Sequence, residues 1–294
     1  MSNPLSRSLN ASKNHEETKI HMTTTIKGKC CVLIPYFNAG ESLLQSISSI
    51  DYSFYAPDII VVDDGSEQKK ASDVLISYKG PLSIKLLELK ENQGIEHALN
   101  KGLELYGRSY EFIARLDCGD LCKNDRIQKQ IQYLEKNPYC YLLGSWVDFI
   151  DTGGKFLFTL KHPSDFNIIR KKMFLNSTFT HPSVMFRSCL LDTVGSYPTD
   201  TPAAEDYAFF FNIIKHHKAS NIQESLLDYI IDPNSISTTK RKKQIKSRIK
   251  IIIRNFELTP HTVYGLIRAS ILLYTPRDLT VFLNKIKNLM HIKS

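Results

Sequence analysis

What most constrains this chain is a rhythm that begins at Lys29. Short apolar runs alternate with longer segments whose apolar residues recur at helical spacing. The run "CCVLIPYFN" reads as a buried strand ending at Pro35. "GESLLQSISSI" follows, with Leu43, Leu44, Ile47 and Ile50 on one stripe. "DIIVVDDGS" is a second strand, closed by two acids and Gly65. A helix is expected over about 67–78, then a third strand in "SIKLLEL". "GIEHALNKGLELY" sets Ile95, Leu99, Leu103 and Tyr106 near one helical face; "EFIARLD" is a fourth strand, and "NDRIQKQIQYLEKN" the next helix. Wholly apolar strands need cover on both faces of their sheet. The rhythm therefore predicts an α/β fold with a parallel sheet between two layers of helices.

The pattern then changes. "YCYLLGSWVDFIDTGGKFLFTL" reads as two strands joined at Thr152-Gly153-Gly154, which predicts antiparallel pairing. "AEDYAFFFNIIKHH" is helical and "SLLDYII" is a last strand. From Ile236 onward there are 13 Lys and Arg against 2 Asp and Glu, whereas the rest of the chain holds 25 against 28. Ile245, Ile249, Ile252 and Phe256 share a helical face there, and Leu279, Phe282, Ile286 and Leu289 share another. Three regions result: a polar extension over 1–28, an α/β domain over 29–235 with a mixed second half, and a basic amphipathic helical region over 236–294. Cationic residues beside apolar stripes predict docking to an anionic membrane surface, with oligomerisation as the competing use of the same helices. No nucleic-acid-binding motif accompanies the charge. The polar start "MSNPLSRSLN" does not read as a signal peptide, and no window offers the ~18 consecutive apolar residues of a spanning helix. The six cysteines form no C-x-x-C pair and read as free thiols of a reducing cytosol. The expected location is cytoplasmic, peripheral on the inner face of the cell membrane.

In an open parallel sheet, ligands bind beyond the carboxyl ends of the strands. Three polar clusters lie at such ends: Pro35-Tyr36-Phe37-Asn38, Asp63-Asp64-Gly65-Ser66 and Asp117-Cys118-Gly119-Asp120. Asp64 can accept from a base N–H or a sugar hydroxyl, or, with Asp63 and Ser66, cap the next helix. Tyr36 and Phe37 offer a flat face beside a base. Asp117 and Asp120 can hold Mg²⁺ or Mn²⁺, hard cations that prefer carboxylate and phosphate oxygens, or serve as turn residues. Arg115 can pair with an acid or reach phosphate. His181 can touch a ligand or be structural, and Glu205 and Asp206 can be catalytic or complement a helix dipole.

The segments "VLIPYFNAGESLLQSISSI", "IIVVDDGS", "ENQGIEHALNKGL", "ARLDCGD", "HPSVMFR" and "AEDYAFF" occur in the order seen in family 2 glycosyltransferases of the GT-A fold. The chain resembles that family from Lys29 to Ile231, and most resembles bacterial enzymes that build O-antigen, capsule or lipooligosaccharide. The resemblance implies inverting transfer from a nucleotide-sugar donor, UDP-linked by analogy, to a hydroxyl of a glycan or lipid-linked acceptor. It implies that Pro35, Tyr36 and Asp64 line the nucleoside pocket, and that Asn92 and Gly94 lie beside the donor. Asp117 and Asp120 stand at the metal–diphosphate site, and Asp206, assisted by Glu205, is the general base. Two departures stand out. The family's Asp-x-Asp is here Asp-x-x-Asp, with Gly119 between. Either Asp120 is the principal ligand and Asp117 touches ribose or a metal-bound water, or metal dependence is weakened. "AEDYAFFFNI" also lacks the Trp and Arg frequent in relatives. A non-catalytic sugar-nucleotide binder of the same fold is the alternative function.

Overall fold

The four apolar runs form β1 (Gly28–Tyr36), β2 (Asp58–Asp63), β3 (Ile84–Glu88) and β4 (Tyr110–Arg115). They pair in parallel in the order β3-β2-β1-β4. The chain runs outward from β1 to β3 and then returns to the other side of β1, so the order reverses between β1 and β4. That switch point is where an open α/β sheet binds ligands. This computed structural model describes residues 28–123, 125–231 and 241–275.

Beyond β4 the sheet becomes mixed. β8 (Met185–Arg187) runs antiparallel to β4, and β6 (Cys140–Ile150) antiparallel to β8. β9 (Lys218–Ile230) lies parallel to β6, and β5 (Leu121–Cys122) closes that side, antiparallel to β9. β7 (Phe156–Leu160) pairs antiparallel with β6, as the Gly-Gly turn predicts. The two-residue β5 has no sequence signature of its own. Its pairing of Cys122 with Leu227 draws the acidic loop before it toward β9.

Helices cover both faces: α1 (Ser42–Ser48), α2 (Ala71–Leu75), α3 (Ile95–Tyr106), α4 (Arg126–Lys136), α5 (Phe166–Met173), α6 (Leu191–Val194) and α7 (Glu205–His216). Alternate residues of β1 serve opposite layers, as the pleat requires. Cys31 and Leu33 pack with Leu99, Leu103 and α7; Val32 and Ile34 pack with Ile47, Val61 and Ile127. The helix expected over 67–78 forms only as the short α2. Asp63 explains the difference: its two carboxylate oxygens accept from the backbone N–H groups of Ser66 (2.9 Å) and Ala71 (2.8 Å), which holds the intervening chain in a loop. All six cysteines are unbridged, and Cys30, Cys31, Cys122 and Cys140 are buried.

Two further helices follow, α8 (Arg241–Arg254) and α9 (Pro260–Tyr274). Ile245 and Ile252 do share a face, and it points inward: both are buried, with Ile251. Ile252 and Ile251 join the cluster formed by α7. Ser247 donates to the Pro202 carbonyl (2.8 Å), and the Arg248 guanidinium lies 5.4 Å from the Tyr207 ring centre. α9 approaches the end of α5 so closely at Gly265 that any Cβ there would collide with the Phe174 carbonyl. Of the polar extension expected over 1–28, Gly28 already belongs to β1; residues 1–27 and the stripe Leu279, Phe282, Ile286 and Leu289 lie outside the described residues.

The burial of α8 gives a direct expectation. Ile252→Ala removes a fully buried side chain and should cost about 2–5 kcal/mol in a urea unfolding experiment. A loss within ~0.5 kcal/mol, as for an exposed site, would show that α8 does not belong to the cooperative unit.

Candidate active site

The ends of β1, β2 and β4 and the start of α7 build one acidic site. Asp64, directly after β2, is buried, and its backbone N–H donates to the Tyr36 carbonyl (2.8 Å). Its carboxylate accepts from the N–H groups of Gln93 (3.0 Å) and Gly94 (2.9 Å). Burial raises the Asp64 carboxyl above its ordinary range in spite of these donors. The "DDG" and "ENQG" loops are thereby tied together, and only glycine fits at 65. Its φ is +69°, and a Cβ there would run into the backbone of Glu91 and Asn92. Gly94, at φ +103°, starts α3, and Asn92 is exposed beside it.

The β1 end is arranged differently from the expected aromatic face. Pro35 remains in strand register with Val62. Tyr36 is buried, its phenol donating to the Lys69 carbonyl (2.5 Å) and accepting from Gly40 N–H (2.9 Å). The exposed ring is that of Phe37. A cleft of about 460 Å³ opens at the ends of β2 and β3, lined by Gly65, Ser66, Lys70, Glu88 and Lys90 among others. That volume lies in the usual range of small-molecule sites.

Arg115 bridges the switch point. Its side chain is fully buried and every arm of the fork is used. Nη1 donates to the Leu33 carbonyl of β1 and to the Leu116 carbonyl (3.3 Å). Nη2 pairs with Asp117 Oδ1 (2.6 Å), and Nε donates to His181 Nε2 (3.2 Å). Arginine cannot accept, so His181 Nε2 carries no proton. Burial, aided by the Arg115 charge, pushes the His181 pKa well below its ordinary value and keeps the ring neutral. The Tyr197 hydroxyl is 3.0 Å from the same nitrogen, and Asn100 fixes the Tyr197 backbone through two bonds of 2.8 Å. Arg115 thus pairs with an acid, and His181 is a buried partner of that pair.

The stretch from Asp117 to Asp120 is a tight turn. Asp120 N–H donates to the Asp117 carbonyl (3.2 Å), and the third residue, Gly119, has φ +100°. A positive φ at that place is the type II signature and calls for glycine. It also accounts for the displaced acid, because a carboxylate at position 119 would sit at the left-handed corner. Ser46 of α1 clamps the turn, donating to the Asp117 carbonyl (3.3 Å) and accepting from Gly119 N–H (2.9 Å). Sequence reasoning missed Ser46, yet it is the one polar residue on the stripe shared by Leu43, Ile47 and Ile50. Tyr197 and the β9 backbone were missed without any such signal.

The two acids of the turn differ. Asp117 keeps about a third of its side chain exposed, at 32%. Asp120 is buried, and its Oδ1 accepts from Ile230 N–H of β9 (3.1 Å). Burial first, and the charge of Asp117 second, hold Asp120 well above the ordinary carboxylate range. A cation between the two would relieve this. Among the described residues no cluster of three or more metal-ligating side chains occurs. The loop can therefore supply two carboxylates, and the rest of a coordination shell would have to come from a ligand.

Glu205 and Asp206 open α7. Glu205 is buried, its Oε2 has no hydrogen-bond partner among the described residues, and burial together with the Asp206 charge pushes its pKa up to about 8. Asp206 is half-buried and accepts from Tyr207 N–H (2.7 Å). Burial and the Asp117 charge raise its pKa too, while Arg248 opposes the shift. Glu205 is the member of the pair held protonated near neutral pH. Asp206 is the more open of the two to solvent. The charge of Asp117 acts on Asp120, Glu205 and Asp206 alike, so the turn and the start of α7 lie within electrostatic reach of one another.

A sheet with its ligand edge at a β1/β4 switch point, an acidic turn after β4 and an acid pair at the start of α7 fits a glycosyltransferase architecture of the GT-A type. Residues 31–195 match the family described as Glycosyl transferase family 2. The chain is 29% identical over 247 residues to the amylovoran biosynthesis glycosyltransferase AmsE of Erwinia amylovora, covering 81% of this chain and 91% of that protein. It is 30% identical over 212 residues to the UDP-Gal:α-D-GlcNAc-diphosphoundecaprenol β-1,3-galactosyltransferase of Escherichia coli, covering 71% and 75%. Among solved structures, S. aureus TarS 1–349 in complex with UDP-GlcNAc superposes with a TM-score of 0.61 at 18% identity, over 81% of this chain and 70% of that one. The mannosyltransferase PcManGT of Pyrobaculum calidifontis, in complex with GDP-Man and Mn²⁺, gives 0.59 at 18%, over 89% and 80%. The chain belongs to glycosyl transferase family 2 and is a glycosyltransferase.

The buried acid makes a pH prediction. The folded pKa of Glu205 lies above its unfolded value, so ionising it costs stability as pH rises from its ordinary range through about 8. Glu205→Gln removes that cost. The variant should match the wild type in melting temperature near pH 4.5 and exceed it by a margin that widens up to about pH 8 and then levels off. A margin independent of pH would contradict the assignment.

Proposed function

We propose that this enzyme transfers a sugar, with inversion, from a nucleoside-diphosphate sugar to a hydroxyl of a growing bacterial surface glycan such as an O-antigen, capsule or lipooligosaccharide. The observation that carries the reading is that Asp117, Asp120, Glu205 and Asp206 lie within electrostatic reach of one another, the Asp117 charge raising the proton affinity of the other three. The names of AmsE and the diphosphoundecaprenol galactosyltransferase support a polysaccharide role and a lipid-borne acceptor. The nucleotide sugars bound by TarS and PcManGT support the donor class, with UDP as the first candidate. An acceptor of that kind would bring the enzyme to the inner face of the cell membrane.

In this reading the nucleoside enters the cleft beside Asp64 and the ends of β2 and β3, near Pro35 and Tyr36. Asn92, Gly94 and the amino end of α3 approach the donor, where backbone N–H groups favour an anion. Asp117 and Asp120 would hold Mn²⁺ or Mg²⁺, the Mn²⁺ of PcManGT being the precedent. Bound there, a divalent ion neutralises charge growing on the departing diphosphate. Arg115 keeps Asp117 in place from behind and does not itself reach the ligand. The acceptor hydroxyl attacks the anomeric carbon opposite the diphosphate, and Asp206 takes its proton. Positioned general-base help of this kind is worth ~10²–10⁴ in rate. Glu205, protonated beside it, orients the acceptor or the base through a donated hydrogen bond.

Gly119 in place of the family's acid favours one other reading, a non-catalytic sugar-nucleotide binder. Two measurements separate them. Asp206→Asn should lower transfer by at least ~10² while donor binding by thermal shift persists; near-normal turnover of that variant would reject Asp206 as base. In a donor screen, a nucleotide sugar at about 100 times its dissociation constant should add ~2.7 kcal/mol of stability. Mn²⁺ should strengthen that effect and a chelator abolish it. Donor binding indifferent to Mn²⁺, with no transfer in the wild type, would favour the binder.

A further inference from the structure

α9 is turned the opposite way from a helix that meets water on its outer side. The residues it buries are small: Thr262, Gly265 and Ala269. Leu266 packs against the core, but five of the helix's large apolar residues face out, with Val263 at 42%, Tyr264 at 58%, Ile267 at 53%, Ile271 at 60% and Tyr274 at 86% exposure. Their spacing of three and four residues puts them on one face. The end of α8 and the turn leading into α9 continue the patch with Ile253, Phe256 and Leu258, all exposed. Exposed apolar patches of such extent mark interaction surfaces. Gly265 makes the orientation firm, because the backbone contact with Phe174 leaves no room to rotate a larger side chain inward.

The charge beside the patch says what it meets. α8 lies antiparallel to α9, with Arg241 donating to the carbonyls of Leu272 (3.1 Å) and Thr275 (3.0 Å). Lys242, Lys243 and Lys246 of α8 are exposed and have no acidic partner among the described residues. Across 241–275 the sole acid is Glu257, and it is paired with Arg170 (3.0 Å). An apolar stripe flanked by unpaired lysines is complementary to a surface with anionic headgroups over an apolar interior. A second copy of the chain is a poorer match, since a two-fold contact through this face would bring the lysines of both copies together.

We infer that the α8–α9 hairpin is a lipid-docking face, in which Tyr264, Ile267, Ile271 and Tyr274 enter the headgroup boundary of an anionic membrane and Lys242, Lys243 and Lys246 contact its charge. Ile245, Ile251 and Ile252 of α8 are spent on the protein interior, so most of the face belongs to α9. The hairpin also touches the active site: Arg248 of α8 covers Tyr207, and its charge acts on Asp206. Docking would set the acceptor side of the cleft beside the lipid surface. This deepens the lipid-borne acceptor reading, yet its test reads vesicle binding and not transfer, so the two can fail separately.

The full chain should sediment with vesicles of phosphatidylcholine containing one-third phosphatidylglycerol, weakly or not at all with phosphatidylcholine alone, and less as salt is raised. Ile267→Asn combined with Ile271→Asn should lower binding by about tenfold or more. Lys242→Gln, Lys243→Gln and Lys246→Gln together should lower it roughly a hundredfold at low salt. Both sets change exposed residues, so melting temperature and donor binding should stay at wild-type values. Unaltered vesicle binding by both variants overturns the proposal. So does a lipid-free dimer, seen by sedimentation velocity, that Ile267→Asn with Ile271→Asn disperses; that result assigns the face to a second copy.

Discussion

A guanidinium with no exposed surface sits at the reversal point of the sheet, and the site is arranged around it. Arg115 ties β1 through Leu33, the acidic turn through Asp117, and the segment before β8 through His181. Removing such a charge from water is costly, and only a complete set of partners offsets the cost. Every partner is therefore constrained. Asp117 must project from the turn toward β1, and His181 must stay neutral with Nε2 as acceptor. Tyr197 carries the network on to α3, through the Asn100 bonds, and to Phe209 of α7, whose ring centre is 4.3 Å away. The planar fork of arginine makes these contacts at once, which a lysine ammonium could not. Arg126, also buried, donates to the Arg115 carbonyl (2.8 Å) and braces the strand end from below.

With Asp117 anchored, the acids of the cleft follow a gradient of protonation. Asp120 and Glu205 are buried and driven toward the neutral form; Asp206 is more open. Residues of the same chemical type thus sit in different electrostatic surroundings. The same turn explains why the spacing of its acids differs from the family pattern: Gly119 occupies the left-handed corner, and the second carboxylate is moved one residue on, where β9 receives it.

Some of this was legible before any coordinates. The apolar runs of β1 and β2 are too uniformly hydrophobic for a half-exposed sheet, and the polar clusters at the strand ends had to converge because parallel strands share polarity. The Gly-Gly turn of the β6–β7 hairpin was equally plain. Other features were hidden for identifiable reasons. A helix over 67–78 has the right composition, but the Asp63 carboxylate, reaching forward to Ser66 and Ala71, competes for its backbone donors. Tyr36 has the chemistry of a stacking platform, yet its hydroxyl finds two backbone partners inside the loop. Ser46, a polar residue within an apolar stripe, is the clamp of the acidic turn.

What the sequence determined alone is everything set by period and local chemistry: parallel strands with covered faces, glycine at the positive-φ corners 65, 94 and 119, carboxylates at one edge, and a cationic end with apolar stripes. What only the tertiary structure decided is how groups distant in the chain share space. Whether Arg115 meets phosphate or an acid depends on His181 and Leu33, 66 and 82 residues away. Which of Glu205 and Asp206 holds a proton depends on burial by neighbouring elements and on the Asp117 charge. Which basic helix turns its apolar face outward depends on Gly265 meeting Phe174. Periodicity states that a helix has two faces; only packing against the rest of the molecule chooses which one is left to the outside.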